Sequence, residues 1–536
     1  MSQIIFRLVN RSGVVRHGIR RFSAEASLAV KACTDGKAGV VVGIYQKELE
    51  TEDPHLTPCA EIFNTKNDGK LLDLVRECRL TGELGKFKTF TAVDRDFGSV
   101  CVVGLGKQGA GYCEIEALEE GRENVRIAAG IGARQLRDFG CKTIYIDPME
   151  YPEHAAEGSA LAIWRYQEHK APEKRGNIPK LELYESPDTD SWIRGLFKAD
   201  AQNLARTLCE APANQLTPTA FAQAAVDALC PCGVCVEVRN QEWIEAQKLN
   251  TFLTVAKSSC EPPLFLEINY NGDERGGAPI VLIGPGITFN SGGLCLTSPD
   301  EIAEQKAAMS GGASVVATIR AAAALSLPLN IVGVIPMCEN MPSGMAYKPG
   351  DVITAQDGKT ICIEDSSYAA RTMLADIFLH CQTNYKPKMI IDVSVMSNDI
   401  AKTLGQAATG VFCSSEYLWE QVQKAGAVTG DRVWRLPLWN FFSREVKDYS
   451  HVDLCNKGTG QGQACMGAAF LREFVPCIDW MHFDVSATGL KKKTCNLRYL
   501  ENGLMTGRPT RTIIQLLHQL ACPDERLKSL VPVKNF

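Results

Sequence analysis

Three stretches of sequence decide how this chain folds. Residues 282–297 read LIGPGITFNSGGLCLT, residues 338–351 read CENMPSGMAYKPGD, and residues 361–371 read ICIEDSSYAAR. An apolar run at 280–283 leads into the first stretch, and its uniform hydrophobicity predicts a buried strand. The alanine-rich segment 311–325 follows and predicts a tightly packed helix. This order of elements predicts an α/β layer built on a mostly parallel sheet.

The rest of the chain repeats the alternation of strands and helices. The sequence predicts further strands at 39–44, 100–105, 143–146, 331–335 and 389–395, and helices at 114–136, 158–166, 199–213 and 414–427. Residues 167–195 are polar and contain proline, which favours an exposed excursion. We therefore predict two α/β domains, one at 23–195 and one at 216–536, joined by a linker helix at 196–215.

Composition and charge exclude several classes of protein. The 536 residues are 45% apolar and 22% charged, as in an ordinary globular protein. The formal charge of −5 does not indicate a nucleic-acid surface, and no uninterrupted apolar run reaches membrane-spanning length. The 21 cysteines follow no repeating interval, which favours buried thiols over a secreted disulfide framework. Cys230, Cys232 and Cys235 could hold part of a zinc site, but a turn before a strand at 234–238 is the simpler interpretation.

The first 22 residues have a composition of their own. They contain five arginines, apolar residues between them and no acidic residue. This pattern is typical of a mitochondrial transit peptide, and Arg20-Arg21-Phe22-Ser23 resembles a matrix-processing site cut after Phe22. Removing five positive charges from a chain of charge −5 leaves about −10. We predict import into the mitochondrial matrix; a basic surface helix is the alternative.

Residues 104–109 match the pattern G-x-G-x-x-G, which binds dinucleotide phosphates in other proteins. The match follows a predicted strand and precedes the helix predicted at 114–136. Four glutamates at 114, 116, 119 and 120 make the start of that helix unfavourable for a pyrophosphate. We interpret the stretch as a structural turn.

The stretches quoted first, with GKTI (358–361) and ATGVF (408–412), resemble the leucine aminopeptidase (cytosol aminopeptidase) family in order and spacing. The resemblance is clearest over residues 199–519. It implies a smaller N-terminal, macro-like α/β domain and a larger aminopeptidase-type α/β domain with a central mixed sheet. It also implies a mechanism in which two divalent metals (zinc, manganese or magnesium) polarise the scissile carbonyl and generate a hydroxide.

The positions that serve these metals in the family are substituted in this chain. The resemblance puts the family's metal-binding lysine at Pro285 and the lysine that polarises the substrate at Thr297. It puts the family's four metal-binding carboxylates at Asn290, Ala308, Ser367 and Ala369. Proline and alanine side chains offer no ligand, and an amide or hydroxyl offers a neutral oxygen. None of the eight histidines shows metal-pair spacing, and His482 is interpreted as structural. We therefore predict no bound metal or other cofactor.

Arg371 is the catalytic position that keeps the family's residue. The resemblance assigns to it a bicarbonate that shuttles a proton. Ala370 stands where the family has glycine and would crowd that anion. Arg371 could instead pair with Asp365, which an extended backbone would place on the same face as positions 367 and 369.

The sequence thus predicts a catalytically inactive or severely impaired family member, a pseudoenzyme. The pattern resembles the insect sperm leucyl aminopeptidases, a branch in which some members lose metal ligands and that is linked to material filling sperm mitochondria. Family members form hexamers, so the resemblance implies a structural role in a homo-hexamer or in a mixed hexamer with related chains. Two alternatives stay open: an active metallo-aminopeptidase that releases N-terminal residues from peptides, and a peptide-binding or regulatory subunit. Nucleic acid and membrane are not expected partners.

Overall fold

A computed structural model describes residues 38–47, 53–397, 399–489 and 497–522. The transit peptide predicted at 1–22 lies outside these residues. Two sheets organise the described chain, one in its N-terminal part and one in its C-terminal part, and a long helix joins the two parts. The predicted fold class, two α/β domains with a mixed sheet in the second, is confirmed.

The described N-terminal part contains seven strands, of which five form one sheet and β4 and β5 form a hairpin. Its strands are β1 (Ala38–Ile44), β2 (Phe87–Thr91), β3 (Ser99–Gly104), β4 (Tyr112–Cys113), β5 (Leu118–Glu119), β6 (Thr143–Ile146) and β7 (Lys180–Leu183). Its helices are α1 (Pro58–Lys66), α2 (Lys70–Glu77), α3 (Glu120–Asp138), α4 (Pro152–Ile163) and α5 (Thr189–Glu210), with a 3-10 helix at Pro172–Lys174. The sheet order is β2-β3-β1-β6-β7, with β2 antiparallel to β3 and the other neighbours parallel. Strands β1 and β3 are buried along almost their whole length, which explains their runs of valine.

The described C-terminal part contains twelve strands, of which nine form a larger mixed sheet and three form a second small sheet. Its strands are β8 (Cys235–Arg239), β9 (Leu264–Asn271), β10 (Ile280–Ile283), β11 (Gly286–Asn290), β12 (Asn330–Asn340), β13 (Val352–Thr354), β14 (Thr360–Cys362), β15 (Met389–Ser394), β16 (Thr409–Cys413), β17 (Val433–Arg435), β18 (Leu454–Cys455) and β19 (Asp479–Asp484). Its helices are α6 (Pro218–Leu229), α7 (Gln241–Ala246), α8 (Asn250–Ala256), α9 (Ser310–Ala324), α10 (Ala369–Tyr385), α11 (Asp399–Thr403), α12 (Glu416–Thr429), α13 (Asn440–Lys447), α14 (Gln463–Arg472) and α15 (Thr510–Ala521), with 3-10 helices at Cys230–Cys232 and Ile302–Met309.

Four parallel strands at the centre of this sheet end at one edge, and the space beside that edge is called the crevice. The sheet order is β17-β16-β19-β15-β10-β12-β9-β8, and β11 pairs with β12 beside that path. Strands β19, β15, β10 and β12 run parallel, so their carboxyl ends meet at one edge. Open α/β sheets bind ligands at such an edge. A second small sheet, β13-β14-β18, carries the segment that faces this crevice.

Several predicted boundaries were wrong in the N-terminal part. The helix predicted at 114–136 begins only at Glu120, because residues 112–119 form the antiparallel hairpin of β4 and β5. The G-x-G-x-x-G stretch therefore leads into a hairpin and not into a helix, which removes the geometry of a dinucleotide site. The helices predicted at 158–166 and 199–213 are α4 and α5, and both begin earlier. The excursion predicted at 167–195 contains β7, an edge strand of the sheet.

A buried cluster of charges lies between the two parts of the chain. Glu157 of α4 accepts hydrogen bonds from Arg126 of α3 at 2.6 Å and from Arg511 of α15 at 2.8 Å. Arg126 also pairs with Glu123, and its guanidinium donates to the carbonyl of Val428 in α12. Because both arginine side chains are fully buried, these ion pairs are shielded from solvent. The predicted boundary at 195/196 falls inside α5, which packs against both α4 and α9.

The segment Ile302–Ala324 is long and apolar enough to cross a membrane by length and composition. Of its most apolar window, 83% is buried inside the fold. Its sequence is therefore explained by its place in the protein core.

Candidate functional site

The candidate site lies where β10 and β11 reach the carboxyl edge of the large sheet. Gly284 and Pro285 connect the two strands and are both buried. A Cβ at Gly284 would lie 2.3 Å from the carbonyl carbon of Gly311, so glycine alone allows the strand to approach the start of α9 this closely. Beyond Asn290, Gly292 and Gly293 adopt φ angles of +92° and +64° and turn the chain back. This loop places position 290 opposite the segment that connects β14 to α10.

Asn290 is held in an internal hydrogen-bond network. Its Oδ1 accepts from the backbone N–H of Gly292 at 3.1 Å and from Nδ2 of Asn340 at 2.8 Å. Its Nδ2 donates to the carbonyl of Ser367 at 3.2 Å. This last bond requires a donor, which an aspartate in the same place does not have. The amide at position 290 therefore fits this network better than the family's carboxylate.

Ser367 is likewise satisfied by its neighbours. Its hydroxyl donates to Oδ1 of Asp365 at 2.6 Å, and its backbone N–H donates to the same oxygen at 2.9 Å. The backbone turns here, so the expectation that Asp365 shares one extended face with Ser367 and Ala369 is wrong. Ala369 is the first residue of α10 and is fully buried. The Asp365 carboxylate thus accepts hydrogen bonds from within its own turn.

The three remaining substituted positions carry no anionic side chain. Ala308 lies in the last turn of the 3-10 helix Ile302–Met309 and is 5% exposed within an apolar cluster. Pro285 accepts a backbone hydrogen bond from Gly312 at 3.2 Å through its carbonyl. Thr297 lies on the loop after Gly293, and its backbone N–H donates to the carbonyl of Ser291 at 2.9 Å.

These residues do not fit a two-metal centre. Within the described part of the chain, no group of three or more histidine, cysteine, aspartate or glutamate residues could hold a metal ion. This includes Cys230, Cys232 and Cys235, of which the first two lie in a short 3-10 helix and the third opens β8. Asp365 brings one carboxylate to the crevice, and a divalent cation requires several such ligands.

Arg371 is fully buried; both terminal nitrogens of its guanidinium donate to groups of the protein, and Nε has no hydrogen-bond partner among the described residues. Nη1 donates to the carbonyl of Asn456 at 3.1 Å and to Oε1 of Gln463 at 3.0 Å, and Nη2 donates to the carbonyl of Gln463 at 2.6 Å. The ring of Tyr368 stacks on the guanidinium at 3.8 Å from the centroid. These partners, not Asp365, hold the arginine, so the suggested pairing is wrong. Burial lowers the pKa of Arg371 to about 10.

Tyr368 and Gln463 are site residues that sequence reasoning missed. A single tyrosine beside a turn carries no pattern, and Gln463 lies 92 residues from the arginine it contacts. Gly467 also packs on the guanidinium, since a Cβ there would lie 2.7 Å from Nε of Arg371. The arginine is enclosed by the ring of Tyr368 on one side, by the start of α14 on the other and by backbone carbonyls around its edge.

His482 lies beneath the crevice, in the core of the sheet. Its Nδ1 is 2.6 Å from Oδ1 of Asp392, its register partner on β15, and Trp480 donates to the other oxygen of the same carboxylate at 2.7 Å. Burial opposes the charged imidazolium, but the Asp392 carboxylate raises the pKa of His482 above its usual value. This fully buried pair supports the interpretation of His482 as structural.

The fold and the crevice define a two-domain α/β protein of the metallopeptidase type. The family profile described as "Cytosol aminopeptidase family, catalytic domain" matches residues 203–514, and "Cytosol aminopeptidase family, N-terminal domain" matches residues 41–173. The chain belongs to the cytosol aminopeptidase family.

Its relatives include proteins named "Cytosol aminopeptidase" from Bos taurus and Homo sapiens, each 41% identical. The alignments cover 91% of this chain and 94% of the bovine protein, and 94% of this chain and 96% of the human one. Among solved structures, "Bottromycin maturation enzyme BotP in complex with Mn" superposes with a TM-score of 0.78 at 26% identity, covering 90% of this chain and 99% of BotP.

Proposed function

We propose that this chain is a catalytically inactive or severely impaired cytosol aminopeptidase homologue that acts as a structural subunit in mitochondria, in particular those of sperm. The observation that carries the proposal is the site itself. Residues with neutral side chains occupy the six positions that serve the metals and polarise the substrate in the family. The side chain of Asn290 donates to the carbonyl of Ser367, and the hydroxyl of Ser367 donates to Asp365.

Energetics supports inactivity. A bound metal lowers the pKa of water from about 15.7 to about 7, which amounts to about 12 kcal/mol toward hydroxide formation. A buried arginine whose N–H groups already bind Asn456 and Gln463 cannot supply a comparable effect. The chain would therefore lack the nucleophile on which the family's reaction depends.

The full-length protein is expected to bind less than about 0.1 equivalent of Mn²⁺ or Zn²⁺ after gel filtration, because it presents too few anionic ligands. Hydrolysis of leucyl-amide in excess metal is expected to be at the buffer rate. Metal content by plasma mass spectrometry and a fluorogenic leucyl substrate measure the two. Near-stoichiometric metal with turnover would instead support an active aminopeptidase, as the names of its relatives suggest.

The structural role requires a closed assembly in the proposed compartment. Six copies of the 58.6 kDa chain give a particle of about 350 kDa, or slightly less once a leader is removed. Native gel electrophoresis of purified mitochondria, probed with an antibody to the chain, is expected to show this species alone or with related chains. A monomer, or a signal confined to the cytosolic fraction, would contradict the role. Saturable binding of dipeptides to that assembly, seen as a thermal shift, would favour a peptide-binding or regulatory subunit.

A further inference from the structure

Cys362 and Cys455 lie opposite each other on neighbouring strands. Cys362 ends β14, Cys455 ends β18, and the two are register partners in a parallel pair. Adjacent strands lie about 4.8 Å apart with register partners on the same face, and a disulfide spans Cα separations of roughly 4.4–6.8 Å. Both residues are free thiols; Cys455 is fully buried and Cys362 is 9% exposed. The strand pairing therefore places the two residues at a backbone separation that a disulfide can span.

Polar groups surround the thiol of Cys455. The backbone amides of Lys457 and Gly458 and the hydroxyl of Tyr449 act to lower the pKa of this thiol, and the carboxylate of Glu364 acts to raise it. The Tyr449 hydroxyl is also 3.4 Å from Oε1 of Glu364. Donors of this kind stabilise a thiolate, and the carboxylate can accept its proton. Burial opposes ionisation and raises the pKa of Cys455, so the thiolate forms transiently.

We propose that Cys362 and Cys455 form a reversible disulfide when a hydroperoxide reaches them. Glu364 takes the proton of Cys455, whose thiolate attacks one oxygen of hydrogen peroxide. The O–O bond breaks, the departing hydroxide takes the proton from Glu364 and leaves as water, and Cys455 becomes a sulfenic acid. Cys362 then attacks this sulfur, the S–O bond breaks, and the hydroxide leaves as water with the proton of Cys362. Two thiols are oxidised, and one peroxide is reduced to two waters.

The bond would act on the crevice through residues next to both cysteines. Asn456 follows Cys455, and its Oδ1 accepts from the backbone N–H groups of Glu364 and Asp365 at 3.0 and 3.3 Å. Its carbonyl accepts from Arg371 at 3.1 Å. A disulfide would fix β14 to β18 directly before these contacts. It would thus stabilise the loop that replaces the family's metal-binding segment, whether or not the site is active.

The test treats the full-length protein with hydrogen peroxide, blocks the remaining thiols with an alkylating reagent and maps peptides without reduction. The expected result is a peptide joining Cys362 to Cys455 that disappears with dithiothreitol. The matched control is Cys101 with Cys141, two fully buried thiols that also interact, with the hydroxyl of Thr89 beside Cys101. We expect the 362–455 link to exceed any 101–141 link at least about ten-fold. Equal or absent links would overturn the proposal.

Two variants separate this chemistry from mere proximity. Cys362→Ser should leave Cys455 as a sulfenic acid that reacts with dimedone, while Tyr449→Phe should slow linkage roughly 3- to 10-fold. Oxidised wild-type protein should melt roughly 5 °C higher than reduced protein, and Cys362→Ser should lose this difference. Dimedone labelling of Cys455 in wild type without linkage would contradict the role of Cys362. If a variant fails to fold, mapping of the wild-type protein still decides the question.

Discussion

Restoring the family's residues at the six substituted positions is expected to make the stability of the protein depend on bound metal. The variant carries Pro285→Lys, Asn290→Asp, Thr297→Lys, Ala308→Asp, Ser367→Asp and Ala369→Glu. Without metal it should be less stable than wild type, because four carboxylates would share a crevice in which positions 308 and 369 are nearly or fully buried. An aspartate at 290 would also face the carbonyl of Ser367 with no hydrogen to donate.

Added Mn²⁺ should reverse this loss, since a ligand that binds the folded state alone stabilises it by mass action. At a free concentration 100 times the dissociation constant, this stabilisation is about 2.7 kcal/mol. Thermal melts with and without Mn²⁺ measure the effect, and wild type should show no shift. The matched control replaces the four new carboxylates with the amides Asn and Gln, which keeps their size and removes their charge. A metal response in this control would show that the stabilisation does not come from the carboxylates. No response in the six-residue variant would show that the scaffold no longer has the geometry of a metal site.

Strands were predicted well from the sequence because burial alone determines them. The runs at 39–44, 100–105 and 280–283 are apolar at every position, and each is a strand buried on both faces. Helix starts were predicted poorly in the N-terminal part. Residues 114–119 have the composition of a helix, but Ala117 adopts a φ of +47° in the hairpin that precedes α3. Pairing of β4 with β5 overrode local propensity there.

The substitutions at the site could be read from the sequence, but their compensation could not. Asn290 and Ser367 are 77 residues apart, and the hydrogen bond between them depends on how two loops meet. The same holds for Arg371, whose partner Gln463 is 92 residues away. Sequence reasoning offered Asp365 as a partner because it was near in the chain. In the structure, Asp365 instead accepts a local hydrogen bond from the hydroxyl of Ser367. Local side-chain hydrogen bonds of this kind compete with extended structure.

The contact between the two domains was also not visible in the sequence. Arg511 and Glu157 are 354 residues apart, and neither belongs to a motif. Burial opposes ionisation of Glu157, but Arg511 and Arg126 together lower its pKa to about 2. The carboxylate therefore stays charged at neutral pH and stabilises both arginines. Loss of one partner would leave the others charged, buried and incompletely paired.

Replacing Arg511 by methionine, which keeps part of the side-chain volume, is expected to destabilise the protein by about 3–5 kcal/mol. The substitution removes the bond to Glu157 together with those to Oε1 of Gln202 at 2.5 Å and to the carbonyl of Thr429 at 2.9 Å. Urea unfolding followed by circular dichroism measures the loss. The matched control is Arg76→Met, which removes ion pairs to Asp53 and Asp73. The side chains of Arg76, Asp53 and Asp73 are 50%, 45% and 68% exposed, respectively.

The control should leave the unfolding midpoint nearly unchanged, because solvent screens an exposed pair. If the cluster couples the domains, Arg511→Met should also separate the unfolding transitions seen by probes in each domain, since two-state behaviour requires that they coincide. Equal effects of the two substitutions would show that burial adds nothing to this ion pair. A large loss of stability with a single shared transition would instead show that the cluster stabilises the C-terminal domain. The two domains would then be held together by the apolar contacts of Leu161 and Ala199 with Tyr499.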